Sequence, residues 1–202
     1  LKAKGSTIYI RDTEELDVML AYHLYWRCFQ IRLISAAYNR ILSREEFVAF
    51  CELVLKIGDR LERLSKEYMI PAILLEQLSL LTQYLDVNNP NIEALQQILG
   101  YDIRHVPSSR IMIVSMGMDD VIVPLTQVTD IIYERILPMY RMFYYGKVAI
   151  HVSTKLTDNM KDEPITIVQL VQMFQQLASL YTIDRFKGLG SMPPAARNFT
   201  CV

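Results

Sequence analysis

The hydrophobic pattern of this 202-residue chain changes its period near residue 100, and no other sequence feature constrains the fold as strongly. Before that point, apolar residues recur every three or four positions, as they do on one face of an α-helix. After it, β-rich runs such as "RIMIVSMGMDDVIVPL" alternate with helical segments. Because 51% of the residues are hydrophobic, the chain can fill a core of ordinary size. The sequence therefore predicts an α+β fold that is mostly helical.

The first half carries the signals that begin and end helices. Asp12 with Glu15, and Ser43 with Glu46, have the spacing of a capping box, in which each side chain satisfies a backbone N–H at the start of a helix. Pro71 can occupy the first turn of a further helix, because its missing N–H is not needed there. The predicted helices span residues 12–42, 43–70, 71–85 and 90–100.

The second half is predicted to mix strands with helices. The expected elements are a hairpin around residues 117–120, a helix over 126–144 with a possible kink at Pro138, a strand at 147–153, an acidic surface loop at 158–163 and a helix over 166–180. Another hairpin is expected in residues 1–12, around Gly5 and Ser6. If the first and last strands of the chain pair in one sheet, everything between them is an insertion.

Charge and cysteine content limit the classes of protein. The 21 basic and 22 acidic residues give a net charge of -1, so any contact with nucleic acid must be local. The three cysteines, Cys28, Cys51 and Cys201, are an odd number at wide spacing, and two of them fall within apolar helical patterns. This favours buried free thiols in a reducing compartment such as the cytoplasm over a disulfide framework or a metal site. Charged residues interrupt every apolar stretch well before the ~18 residues of a membrane span, so no membrane segment is expected.

Most of the polar residues that a catalytic centre would need have simpler interpretations. His23, His105 and His151 fall in three different predicted elements, which favours structural or surface roles over a metal site. Asp119 and Asp120 form the one tight acidic pair in a β context. Neighbouring strand residues point to opposite faces, so a hairpin turn explains the pair better than shared Mg²⁺ ligation.

The first predicted helix is crowded with aromatic residues. Tyr22, Tyr25, Trp26 and Phe29 lie close together with Arg27 among them. Such a helix can stack on nucleic-acid bases or bind a partner. At helical spacing, however, core packing with arginine side chains that reach the solvent is the favoured interpretation.

The stretch "YTIDRFKGLGSM" at residues 181–192 is the most specific signal. Gly188 and Gly190 are compatible with an ordinary tight turn after a strand, because glycine tolerates positive φ angles. They are also compatible with close approach of the backbone to a polyanion, whose phosphates Lys187 and Arg185 would neutralise. The residues alone leave both interpretations open.

Two segments resemble one family. "TIDRFKGLGSM" resembles the Arg-Tyr-Lys-Gly-Leu-Gly-Glu-Met signature near the end of the Toprim domain in the B subunit of DNA gyrase and other type IIA topoisomerases. "LKAKGSTIYIRDTEELD" is similar to the Tyr-Ile-Lys-Asp-Asp-Glu segment that lies earlier in the same domain. Ser191 replaces the usual acidic residue of the signature, and Pro193-Pro194 stiffens the turn that follows. These departures concern the local geometry of the motif.

The resemblance implies a division of the chain into four parts. Residues 1–12 would be a Toprim-derived hairpin and residues 181–202 the Toprim-derived strand and turn. Residues 13–100 would form a helical lobe, and residues 101–180 an α+β lobe, of an insert of the kind that Gram-negative gyrase B subunits carry. We accordingly expect the chain to be a piece of a longer bacterial or bacteriophage protein.

The resemblance also implies a function, the ATP-dependent passage of one DNA duplex through another. No catalytic or metal-binding residue is expected within this chain, because the Mg²⁺-binding acids and the ATP site of the parent enzyme would precede it. The expected DNA contacts are Lys187 and Arg185, with Gly188 and Gly190 allowing close approach. The implied partners are duplex DNA, the rest of the B-type subunit and the A-type breakage-reunion subunit. The alternative is a non-catalytic helical module that binds protein and retains a degenerate end motif.

Overall fold

The computed structural model describes residues 2–3, 6–7, 13–37, 39–140, 148–154 and 163–180. Its helices are α1 (Thr13–Leu20), α2 (Trp26–Cys28), α3 (Arg44–Tyr68), α4 (Ala72–Leu80), α5 (Ile92–Leu99), α6 (Leu125–Ile131) and α7 (Ile167–Ser179). A π-helical turn at Ala21–Tyr25 joins α1 to α2, and another at Ile132–Ile136 follows α6. Short 3₁₀ turns lie at Thr82–Tyr84 and Pro107–Ser109.

The strands form three antiparallel sheets. They are β1 (Lys2–Ala3), β2 (Ser6–Thr7), β3 (Phe29–Ile34), β4 (Asn39–Ile41), β5 (Asp102–Val106), β6 (Ile111–Met116), β7 (Asp119–Pro124), β8 (Ala149–Thr154) and β9 (Glu163–Ile165). β1 pairs with β2, as the sequence predicts around Gly5. The strand order is β4-β3-β8-β9 in the second sheet and β5-β6-β7 in the third. The predicted α+β class, with helices predominating, is confirmed.

The predicted helix over residues 12–42 is wrong in its second half. The helix ends at Cys28, and residues 29–34 form β3, where alternate side chains are buried. Phe29, Ile31 and Leu33 face the core and pair across the sheet with β8. Period-two burial of this kind is the pattern of a half-buried strand. The four-stranded sheet therefore combines residues 29–41 with residues 149–165, which come from opposite halves of the chain.

Several local predictions are confirmed. Ser43 and Glu46 form a complete capping box at the start of α3. Helix α5 ends at Gly100, which adopts a positive φ of 72°. Strands β6 and β7 form the predicted hairpin, although its loop is only Gly117-Met118, because Met116 pairs directly with Asp119.

Other boundaries differ from the predictions. Helix α4 ends at Leu80 and passes into a 3₁₀ turn, short of the expected residue 85. Helix α6 passes into a π-helical turn that ends at Ile136, before Pro138. Strand β5 and strand β9 were not predicted, and β9 begins at Glu163, where an acidic loop was expected. Residues 155–162 and 181–202 lie outside the described residues.

Helices α3 and α7 cross closely at Gly58. This glycine is buried on α3, and a Cβ atom added to it would lie 2.7 Å from Cγ2 of Val171 on α7. Real Cβ atoms do not approach other atoms so closely, so a larger residue would push the two helices apart. The close approach therefore depends on the absence of a side chain at this position.

We expect Gly58→Ala to lower the free energy of unfolding by about 1–2 kcal/mol, because the energetic cost of overpacking exceeds the stabilisation that alanine gives a helix relative to glycine. Denaturation in urea measures this effect. In a Val171→Ala background, where the obstructing methyl groups are absent, the same substitution should be neutral or stabilising. Additive effects of the two substitutions would contradict the proposed steric coupling.

None of the described helices combines the length with the apolar character that a membrane crossing requires. The described cysteines, Cys28 and Cys51, are both buried free thiols. Burial raises the pKa of the Cys51 thiol strongly, with a further contribution from the charge of Glu52. Cys51 therefore stays protonated and packs as a small apolar residue.

Candidate functional site

The residues predicted to contact DNA, Arg185, Lys187, Gly188 and Gly190, lie outside the described residues. Their roles therefore remain predictions. The described residues include the three histidines, the pair Asp119 and Asp120 and the aromatic residues of the first predicted helix, but not Cys201.

The three histidines lie on separate elements. His23 is in the π-helical turn after α1, where its ring packs edge-on against Tyr22 with 4.9 Å between ring centres. His105 lies on β5 and His151 on β8, in two different sheets. His151 stands opposite Arg32 of β3. Among the described residues, no three His, Cys, Asp or Glu side chains come together as a metal site would require.

Asp119 and Asp120 lie in strand β7, so their assignment to the hairpin turn is wrong. The loop needs only two residues, and Gly117 supplies its positive φ of 72°. One oxygen of the Asp120 carboxylate accepts a hydrogen bond from the Ser115 hydroxyl at 2.6 Å. The other accepts one from the Arg104 guanidinium at 3.0 Å. Asp120 thus links all three strands of its sheet through exposed side chains, which is a structural role.

The aromatic residues near α2 belong mainly to the core, as predicted. Tyr25 and Phe29 are buried, and both rings contact Phe174 on α7. Trp26 packs edge-on against Phe47. Tyr22 is more exposed, and the guanidinium of Arg44 lies 3.6 Å from its ring centre.

Glu76 is the most unusual polar residue that the structure describes. It lies on α4, a helix that is otherwise apolar or uncharged, and only 2% of its surface is exposed. Fully buried carboxylates are rare unless they are paired or hydrogen-bonded. Glu76 therefore requires a specific explanation.

The carboxylate of Glu76 caps the N-terminus of α7. One oxygen accepts the backbone N–H of Ile167 at 2.7 Å, and the other accepts that of Val168 at 2.8 Å. The Thr166 hydroxyl accepts the next N–H, from Gln169, at 3.2 Å, and the Gln169 side chain accepts the N–H of Thr166 at 3.0 Å. The first N–H groups of a helix have no partner within the helix, so this arrangement satisfies all of them.

Two opposing effects act on the ionisation of Glu76. Burial raises the pKa of its carboxyl group, because the charged form loses its hydration. The N–H groups of Val168 and Ile167 oppose this rise, and the side chains of Tyr140 and Thr166 act in the same direction. The net effect is a raised pKa, which marks Glu76 as a perturbed carboxylate beside a cleft.

A cleft of about 730 Å³ opens beside Glu76. Small-molecule sites in proteins generally occupy about 300–1,000 Å³ and combine an apolar lining with a few polar groups. This cleft has both features. Its apolar walls come from Leu80, Leu137, Val148, Ile150, Pro164 and Ile165, and its polar groups from Glu76, Ser79, Thr82, Gln83, Tyr140 and Thr166.

Sequence reasoning did not single out Glu76, although one signal was present. The stretch "IPAILLEQLSLL" carries a single charge within an apolar helix, and a lone acidic residue on a buried face needs a partner. The sequence does not reveal that partner, because the N–H group of Ile167 that binds Glu76 lies 91 positions further along the chain. No known protein family, curated protein or solved structure matches this chain.

Proposed function

We propose that this chain is part of a type IIA DNA topoisomerase, in which it helps to position duplex DNA beside the cleavage site of the Toprim domain. The support comes from the segment "DRFKGLGSM" at residues 184–192, together with the similarity of residues 1–17 to the segment that precedes the insert. Lys187 and Arg185 would contact phosphates, and Gly188 and Gly190 would let the backbone approach them.

Within this proposal the region between the two segments serves as a scaffold. The Mg²⁺-binding acids, the ATP site and the attacking tyrosine would belong to the rest of the B-type subunit and to the A-type subunit. DNA cleavage would therefore require those partners. This chain would contribute only contacts with the DNA and its positioning.

Binding to a short DNA duplex tests the proposed phosphate contact. At low ionic strength we expect Lys187→Ala to weaken binding about three- to tenfold. The slope of log affinity against log salt concentration should also become shallower by about one, which corresponds to the loss of one phosphate contact. Lys56→Ala is the matched control, because Lys56 is an exposed lysine on α3, outside the motif. Fluorescence anisotropy of a labelled duplex, repeated over a range of salt concentrations, measures both quantities.

Equal affinities for the wild type and for Lys187→Ala and Arg185→Ala would contradict the role of the motif in DNA binding. That result would favour a non-catalytic protein-interaction module. A specific observation supports this second candidate. Met118 is fully exposed at the hairpin tip, and Ile122, in the adjoining strand, is 60% exposed. Isolated apolar side chains are common on protein surfaces, so this support is weaker than the motif.

A further inference from the structure

The groups that contact the Glu76 carboxyl, among the described residues, are all uncharged: the backbone N–H groups of Ile167 and Val168 and the side chains of Tyr140 and Thr166. Among the described residues that line the cleft, Glu76 alone is charged. The N-terminus of α7 offsets roughly half of a unit charge through its aligned peptide dipoles. A buried carboxylate without a full countercharge attracts a cation, because the low dielectric of the interior strengthens their interaction.

The cleft also has the volume and the lining for an organic cation. Leu137, Val148 and Ile165 offer apolar surface to the hydrocarbon part of a ligand. Tyr140, which is almost completely buried, adds an aromatic ring, and such rings attract ammonium groups. An ammonium group directed at Glu76 would therefore combine with an apolar body that covers these side chains.

We propose that the cleft beside Glu76 binds a small organic amine, with its ammonium group at the carboxylate and its apolar part against the walls. This inference is independent of the proposed role in DNA positioning. It assigns a ligand-binding site to a part of the chain that is remote in sequence from the Lys187 motif.

Titration with hexylammonium chloride, followed by ¹⁵N NMR, tests the proposal. The amide signals of Ile167 and Val168 should shift, because their N–H groups donate to the carboxylate that the ammonium approaches. We expect 1-hexanol, which has the same apolar chain without the charge, to bind at least tenfold more weakly. Equal affinities for the two compounds would overturn the proposal, since apolar contact alone would then explain binding.

A charge substitution at the cleft provides a second test in which the residue at position 76 remains glutamate. Gln83 is exposed and lines the cleft, so Gln83→Lys places a competing ammonium group there and should weaken hexylammonium binding at least tenfold. Gln97→Lys adds the same charge at an exposed position on α5, outside the cleft lining, and should change the affinity less than twofold.

Two results would refute the amine site. One is the absence of shifts at Ile167 and Val168 in the wild type. The other is equal hexylammonium affinity in Gln83→Lys and the wild type.

Discussion

Replacing Glu76 with alanine should lower the free energy of unfolding by about 3 kcal/mol. The N–H groups of Ile167 and Val168 would lose their acceptors, and each buried polar group left unsatisfied costs about 1–3 kcal/mol. Glu76→Gln keeps the volume and one carbonyl acceptor, so its cost should be about half as large. Urea denaturation measures both losses, and amide hydrogen exchange should show reduced protection in the first turn of α7.

Glu62 provides the matched control for this prediction. It is an exposed glutamate on α3, and Glu62→Ala should change the free energy of unfolding by less than about 0.5 kcal/mol. A loss below about 1 kcal/mol for Glu76→Ala would show that water replaces the carboxylate at the helix N-terminus. That result would contradict the structural importance assigned to the cap.

The raised pKa of Glu76 gives this cap a defined dependence on pH. Because the folded-state pKa lies above the unfolded value of about 4.3, the folded protein holds the proton of Glu76 more tightly than the unfolded chain does. The contribution of this group to stability is fully present below the unfolded pKa and is lost as pH rises through the folded pKa. The stability difference between the wild type and Glu76→Gln should therefore decrease with rising pH, and an increase would contradict the sign.

The sequence predicted best those features that residues a few positions apart determine. The capping box of Ser43 and Glu46 spans three positions, and the α5 terminus at Gly100 depends on the conformation of one residue. The β6–β7 hairpin depends on a two-residue loop between β-rich runs. In each case the physical cause lies within the segment itself, so the sequence contains the whole signal.

Strand β3 shows why a local pattern can mislead. Ile31 and Ile34 are three positions apart, which suits a helix, while Phe29, Ile31 and Leu33 alternate, which suits a strand. Pairing with β8 decides between helix and strand here. Strand β8 comes from a distant part of the chain and pairs with β3 along its whole length. Tertiary pairing therefore overrides the helical signal that continues from α1.

The candidate cleft could not be predicted for a related reason. Glu76 on α4, Tyr140 after α6 and Thr166 before α7 come from three separate parts of the chain, and only the fold brings them together. The sequence identified the helices on which or beside which these residues lie, but not the faces that meet. The predicted site at Lys187 depends instead on a contiguous motif, which is why sequence alone could suggest it.

Replacing Phe174 with alanine should cost about 3–5 kcal/mol of stability, which is the usual range for a fully buried phenylalanine. Its ring is inaccessible to solvent and stacks on Tyr25, with 4.4 Å between ring centres and 5° between ring planes. It also contacts Phe29, at 5.7 Å between ring centres. These contacts join α7 to the π-helical turn and to the start of β3, so their loss removes packing from three elements at once.

Two further variants of α7 separate packing from helix propensity. Phe174→Leu retains most of the buried volume but loses the stacked geometry. A volume-conserving substitution costs less than about 1.5 kcal/mol, and the lost stacking adds less than about 1.5 kcal/mol, so the total loss of stability should stay below about 3 kcal/mol. Gln175→Ala changes the adjacent exposed residue and should alter the free energy of unfolding by less than about 0.5 kcal/mol. Urea denaturation of the three variants gives the comparison.

If Phe174→Ala lost less than about 2 kcal/mol, the surrounding side chains would have to collapse into the space left by the ring. The three elements would then be held together by contacts other than this aromatic cluster.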